Sequence, residues 1–248
     1  MKYILFLLLL SSVCFGQNDI IWDSPIPVAG IEFGNLHPRI VLNRNEDPVI
    51  LWGKSAESAA YISTWDGTGF TIPLRVNPMD IPLFTATWAG PDIAGSGDTI
   101  YVVFKENPED SQPAYCVHSY DGGLTFSIPV VIDAMPGGMV SRFPSVAVSN
   151  SGEPSIVYMQ FDAGFVNPRY VVTTSPDFGN SFTTAILASG YSGGVVCDCC
   201  PAGIAANNNF VASLYRDNLS NLRNSWSGIS SNYGASFDDG ADESGAFF

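Results

Sequence analysis

An octapeptide that returns at a near-constant interval constrains this chain more than any other feature. Ser119-Tyr120-Asp121-Gly122-Gly123-Leu124-Thr125-Phe126 has the form Ser, any, Asp, any, Gly, any, Thr or Ser, aromatic. A second full match carries Ser175, Asp177, Gly179 and Phe182 at the same places. A third carries Ser230, Asn232, Gly234 and Phe237, with Asn standing for Asp. The stretch from Ser63 to Phe70 keeps the Ser, Gly67 and the aromatic but has Trp65 at the Asp place. The starts fall at 63, 119, 175 and 230, so the intervals are 56, 56 and 55. A fixed period of this length predicts stacked supersecondary units, each burying its apolar faces against its neighbours. The residue types predict a tight hairpin turn. Asp or Asn bonds the backbone of its own turn, Gly takes a positive φ, and Ser or Thr adds a side-chain bond. The aromatic then anchors the turn in an apolar layer.

With the period as ruler, each unit holds four strand candidates, and the units span 37–76, 90–132, 143–188 and 201–248. The innermost strands align at Pro38, Pro91, Pro144 and Pro201, each followed by small or β-branched residues. Pro suits a first strand position, where no ladder donor is needed, and small residues suit strands crowded around an axis. Helix-period patterns are scarce, so the expected class is all-β. A further segment at 20–28, Trp22-Asp23-Ser24-Pro25-Ile26-Pro27-Val28, reads like an outer fourth strand without its own first three. Such a spare strand would close a ring of units.

The chain opens with Met1-Lys2-Tyr3, an apolar run from Ile4 to Leu10, and small residues near Gly16. That order predicts a signal peptide over residues 1–16 and a mature chain from 17 to 248 that is secreted, periplasmic or at the cell surface. The apolar run is too short to span a bilayer. A formal net charge of −14 argues against nucleic-acid partners, whose phosphates demand basic surfaces.

Four cysteines remain after the leader: Cys116, Cys197, Cys199 and Cys200. In an exported protein an even number predicts disulfides. The alternatives are a soft metal held by Cys197-Asp198-Cys199-Cys200, and free thiols. No cofactor is otherwise required. The two histidines, His37 and His118, carry less, because a lone His is usually structural. No phosphate loop, zinc-protease helix or hydrolase elbow is present.

The octapeptide resembles the Asp-box, or bacterial neuraminidase repeat, of the sialidase superfamily. The run from Cys197 to Pro201, with Tyr215-Arg216-Asp217, is also similar to exported bacterial proteins called sialidase-like. The resemblance implies a sialidase-like β-propeller with about four four-stranded blades here, a fragment of a six-bladed ring. It places the boxes on the face away from the site. It implies glycan or glycoprotein partners and an exo-acting glycoside hydrolase on sialic-acid-type glycans. The open alternatives are a non-catalytic glycan- or protein-binding propeller and a metal-binding propeller using the cysteines. On the face opposite the boxes lie four of the seven arginines, Arg39, Arg142, Arg169 and Arg216. Arginine forks grip carboxylates, so Arg39, Arg142 and Arg216 are the substrate-binding candidates. Asp92 and Asp162 are the acid/base candidates. The family's acid/base Asp has no counterpart in Gly53-Lys54-Ser55-Ala56-Glu57-Ser58.

Overall fold

The computed structural model describes residues 24–30, 34–133 and 135–247. The expected leader at 1–16 lies outside the described residues, as do residues 20–23 of the expected spare strand. Residues 24–30 form no strand. They lie against the first unit, where the side-chain amide of Asn35 donates to the Gly30 carbonyl at 3.3 Å.

The chain is all-β and builds four antiparallel four-stranded sheets in sequence. The first is β1 (Asn35–Leu42), β2 (Pro48–Lys54), β3 (Ala59–Thr64) and β4 (Leu74–Arg75). The second is β5 (Asp92–Ser96), β6 (Thr99–Lys105), β7 (Ala114–Ser119) and β8 (Val130–Val131). The third is β9 (Val140–Val148), β10 (Pro154–Asp162), β11 (Val166–Thr174) and β12 (Ile186–Leu187). The fourth is β13 (Val195–Val196), β14 (Gly203–Asn207), β15 (Phe210–Asn218) and β16 (Ser225–Ser230). In the first three sheets the strands pair in chain order, so each is a meander. The inner strands β1, β5, β9 and β14 pack on one another in turn, the arrangement of propeller blades.

Strand periodicity explains why these sheets stack. Successive side chains point to opposite faces. On β6, Ile100, Val102 and Phe104 enter the core shared with the first blade, while Tyr101 and Val103 enter the core shared with the third. On β10, Ile156 and Tyr158 face the second blade, and Val157, Met159 and Phe161 face the fourth. These strands are buried on both faces, so they read as near-continuous apolar runs rather than as alternation.

The fourth blade departs from the meander. Its inner strand is split: β13 pairs with the far end of β15 at Asp217 and Asn218, and β14 pairs with Phe210–Leu214. Residues 197–202 bulge from the break. The expected outer strand starting at Phe237 is reduced to bridges from Asp239 and Asp242 to β16.

The repeated octapeptides are the predicted turns. Ser119 Oγ accepts from the Gly123 N–H at 2.9 Å and donates to Asp121 at 2.6 Å. Asp121 accepts from the Thr125 N–H at 2.9 Å and from its hydroxyl at 2.6 Å. Asp177 makes the same bonds to Ser181, and Gly179 N–H meets Ser175 Oγ at 2.7 Å. In the third turn the circuit survives with one bond reversed, because the Asn232 amide donates to Ser236 Oγ at 2.8 Å. The box glycines take φ of 92°, 89° and 77°. The residues before them, Gly122, Phe178 and Tyr233, are also left-handed, which the pattern did not predict. Phe126, Phe182 and Phe237 each pack against a different core. In the degraded first copy, Asp66 takes over and accepts from the N–H groups of Thr68 and Gly69.

Asp121 is held down to about 2: burial at the turn pushes it up, and the bonds from Ser119, Thr125 and Leu124 overcome that. Asp177 is lowered by Ser181, and Asp66 by Thr68. A carboxylate with a depressed folded pKa contributes stability that is present above its ordinary value and lost as pH falls through the folded one. The urea midpoint is therefore expected to fall between about pH 4 and pH 2. The Asp121→Asn/Asp177→Asn variant, which copies the Asn232 circuit, is expected to flatten that dependence. An unchanged acid profile in this variant rules the turns out as its source.

A second set of side chains shares the period and escaped the sequence reading. Asn77, Asp133, Ser189 and Ser244 stand at intervals of 56, 56 and 55. Each accepts a backbone N–H of a third strand: Ala60, Ala114, Tyr170 and Ser225, at 2.7–2.9 Å. In the first, second and fourth blades this clip fastens the end of the third strand away from the octapeptide turn, and in the third blade it fastens the middle of β11. A polar residue at every 56th position was their signal. It was missed because the four residue types differ.

Candidate functional site

The starts of the four inner strands enclose a hollow of about 290 Å³, lined among others by His37, Arg39, Trp88, Asp92, Ser145 and Ala202. Asp92 is its centre. One carboxylate oxygen accepts from Arg39 Nε at 3.1 Å, and the other accepts from Ser145 Oγ at 2.5 Å and from the Val146 N–H at 3.1 Å. One carboxylate thus ties together the first three blades. The Arg39 side chain stays 47% exposed, so much of its guanidinium faces solvent. His37 Nε2 meets the Ala86 carbonyl at 2.6 Å, and its backbone is left-handed (φ 51°), as is that of Phe143 (φ 52°). Both precede an inner-strand proline, and at both the inner-strand ladder is irregular.

Trp88 is the lining residue that the sequence reading passed over. It is 44% exposed. Its ring lies 5.6 Å from Phe84 and 5.7 Å from Phe143. Its position in the loop entering an inner strand, two residues before Gly90-Pro91, was the available signal.

The other candidates lie elsewhere. Arg142 is ion-paired with Glu109 at 2.6 Å and sits among four rings, with Trp88 at 5.2 Å and Phe165 at 4.9 Å. It backs Trp88 and is not among the residues lining the hollow. Asp162 is bound to Arg169 at 2.9 Å and to Asn167 at 2.7 Å on the β10–β11 hairpin, and these partners hold its carboxyl below the usual range. Arg216 reaches toward Cys200, with Nη1 3.7 Å from the sulfur. Only Arg39 and Asp92 of the named candidates meet in the hollow.

The cysteines divide. Cys116 is buried in the core between the second and third blades, where burial pushes its thiol well up. Cys197, Cys199 and Cys200 gather in the bulge between β13 and β14. Their sulfurs stand 3.1, 3.3 and 3.7 Å apart, and no disulfide joins any of the four. The disulfides expected from the even number of cysteines are therefore not formed in this structure. Tyr170, a fully buried ring, donates its hydroxyl to the Cys200 carbonyl, and the Cys197 N–H bonds the Arg216 carbonyl at 2.8 Å. The Cys197 thiol is lowered: burial opposes this, but the Cys199 thiol and N–H and the Cys200 thiol outweigh it. Cys199, facing Cys197 and Cys200, is pushed up to about 11.

No protein-family model matches the chain, and no curated protein matches its sequence. Solved structures do. An ulvan lyase of family PL25, bound to -[GlcA(1-4)Rha3S]-, is similar with a TM-score of 0.56 and 13% identity over 81% of this chain and 53% of that one. The α-L-arabinofuranosidase Arb93A from Fusarium graminearum, with an iminosugar inhibitor, gives 0.58 and 12% over 88% and 68%. An α-L-arabinanase from Penicillium chrysogenum, with arabinobiose, gives 0.52 and 14% over 84% and 65%. The chain spans about half the length of the ulvan lyase and about two thirds of the other two. These likenesses show the fold, that of propeller-type glycoside hydrolases and lyases, and are not specific to sialidases. Among the described residues no helix is long and apolar enough to cross a membrane.

Proposed function

We propose that the chain is an exported, glycan-recognising propeller that takes an acidic sugar unit, of sialic-acid type, into the hollow at the inner-strand starts. The observation that carries this reading is the pairing of a half-exposed Trp88 with the half-exposed Arg39 in one concave site. Sugar sites combine an aromatic surface for the apolar ring face with a few fixed polar groups. Trp88 is that surface, wedged by Phe84, Phe143 and Arg142. Arg39 is the carboxylate partner, aimed by Asp92. His37 and Ser145 are placed for hydroxyls. The sugar ligands of the three similar structures support a glycan partner, and one of them, that of the ulvan lyase, contains an acidic sugar.

A hydrolytic reading, exo-glycosidase chemistry with Asp92 as acid/base, rests on the same Arg39–Asp92 contact. Glycoside hydrolysis commonly uses two carboxylates flanking the bond. Asp92 is the one carboxylate among the described lining residues, and it already accepts three hydrogen bonds. Recognition without turnover is therefore the better-supported reading.

Calorimetry with sialyllactose and with lactose tests it. Arg39→Ala is expected to weaken sialyllactose about 10- to 100-fold, the loss of a charge-assisted pair. Trp88→Ala is expected to weaken both sugars. A wild-type chain indifferent to sialylated and uronate-bearing glycans sinks the reading. Release of the fluorophore from a fluorogenic sialoside, abolished in Asp92→Asn, would establish the hydrolytic one.

A further inference from the structure

We propose that Cys197, Cys199 and Cys200 form a three-thiolate site for a thiophilic d10 cation, zinc(II) or copper(I). The three sulfurs belong to four consecutive residues, yet all lie within 3.7 Å of one another. Sulfurs bound at about 2.3 Å to a tetrahedral zinc stand about 3.8 Å apart. The three spacings fall short of that edge by between about 0.1 and 0.7 Å, so a small outward turn of the side chains brings them to one face of a coordination tetrahedron, and no covalent bond joins any two sulfurs.

The surroundings are those of metal thiolates. The three sulfurs face one another across the bulge, with contacts of 3.1, 3.3 and 3.7 Å. Arg216 Nη1 lies 3.7 Å from the Cys200 sulfur. That guanidinium offsets part of the excess negative charge that three thiolates keep around a mono- or divalent ion. The backbone is fixed on both sides, by Cys197 N–H to Arg216 and by Tyr170 hydroxyl to the Cys200 carbonyl. The cluster sits where the inner strand of the fourth blade breaks, between β13 and β14. The corresponding strand of the third blade, β9, runs unbroken for nine residues.

Access is graded. Cys197 is buried, Cys200 intermediate and Cys199 exposed. An ion therefore enters from the Cys199 side. Among the described residues the group contains no His, Asp or Glu. Three sulfurs satisfy copper(I) alone, whereas zinc would take a solvent molecule or a ligand in the fourth place. The inference is independent of what the hollow binds.

The full mature chain, reduced and freed of reductant without oxygen, is incubated separately with zinc and with copper(I), desalted, and its metal content measured. One retained equivalent of either ion is expected, and the arm that retains it identifies the ion. Cobalt(II) should give a thiolate-to-metal charge-transfer band in the near ultraviolet. Cys199→Ser, at the exposed position, should weaken retention more than about 100-fold, since replacing even an outer partner costs 10- to 100-fold. Cys116→Ala should leave stoichiometry unchanged. Retention of neither ion by a chain whose cysteines are shown to be fully reduced overturns the proposal. So does equal retention by Cys199→Ser. A far-ultraviolet spectrum like wild type in that variant separates loss of the site from loss of fold.

Discussion

Lys105→Met is expected to destabilise the chain by about 3–5 kcal/mol, the penalty for leaving a buried charge without its partner. Lys105, Asp133 and Ser141 are all buried between the second and third blades. Lys105 Nζ donates to Ser141 Oγ at 2.9 Å and to the Gln112 carbonyl, and Ser141 donates in turn to Asp133. Asp133 also holds the Ala114 N–H at 2.9 Å, as the clip of the second blade. It is the one clip of the four that carries a charge, and Lys105 is the cation that offsets it. Burial lowers Lys105 to about 8 and raises the carboxyl of Asp133. Removing the lysine raises Asp133 further. A raised folded pKa contributes stability that is present at low pH and lost as pH rises through it. The deficit of Lys105→Met should therefore be largest near pH 7 and shrink toward pH 5. Lys105→Met/Asp133→Asn keeps the Ala114 bond and removes both charges, so it should recover much of the loss. Urea denaturation at the two pH values is the measurement. A single-variant deficit under about 1 kcal/mol, or no recovery in the double variant, rejects the account.

Gly228→Ala is expected to lose about 3 kcal/mol or more, at the upper end of overpacking penalties. A Cβ on Gly228 would lie 2.0 Å from the Ala188 carbonyl oxygen and 3.1 Å from its carbon. Those are backbone atoms, so no rotamer change relieves the clash. The third and fourth blades would have to separate, and the core that joins them contains Val172, Ala188, Val211 and Tyr215. Gly203→Ala is the control, because a Cβ there meets nothing within 4 Å. Thermal melts of the two variants should differ by roughly 10 °C for a chain of this size, since 1 kcal/mol shifts the midpoint by about 2–4 °C. Equal melting temperatures would show that the sheets slide apart without penalty.

The architecture was largely legible in the sequence because its causes are local. Each turn needs only its own Ser, Asp or Asn, Gly and aromatic, so the 56-residue period exposes it. β6 and β10 read as strands because their apolar runs are bounded by turn residues. Two features depend on more distant parts of the chain and were not legible. The outer strands are shorter than expected, with β4, β8 and β12 two residues each. The fourth inner strand is broken where a continuous one was expected, and its cysteines cluster there.

The site divides in the same way. Sequence determined that Arg39 and Asp92 enter inner strands at equivalent places, and the period then brings them to one mouth. Tertiary structure alone decided that Arg142 turns away to Glu109 and a ring of aromatics. It also decided that Trp88 comes forward beside Arg39. The physical reason is range. Turn chemistry and strand periodicity act within a few residues, and a repeat copies them faithfully. Whether an arginine faces a hollow or a neighbouring carboxylate depends on charges and rings contributed by other blades. The pair Arg142–Glu109 spans 33 residues of chain and the pair Arg39–Asp92 spans 53. No local pattern encodes which of those partners wins.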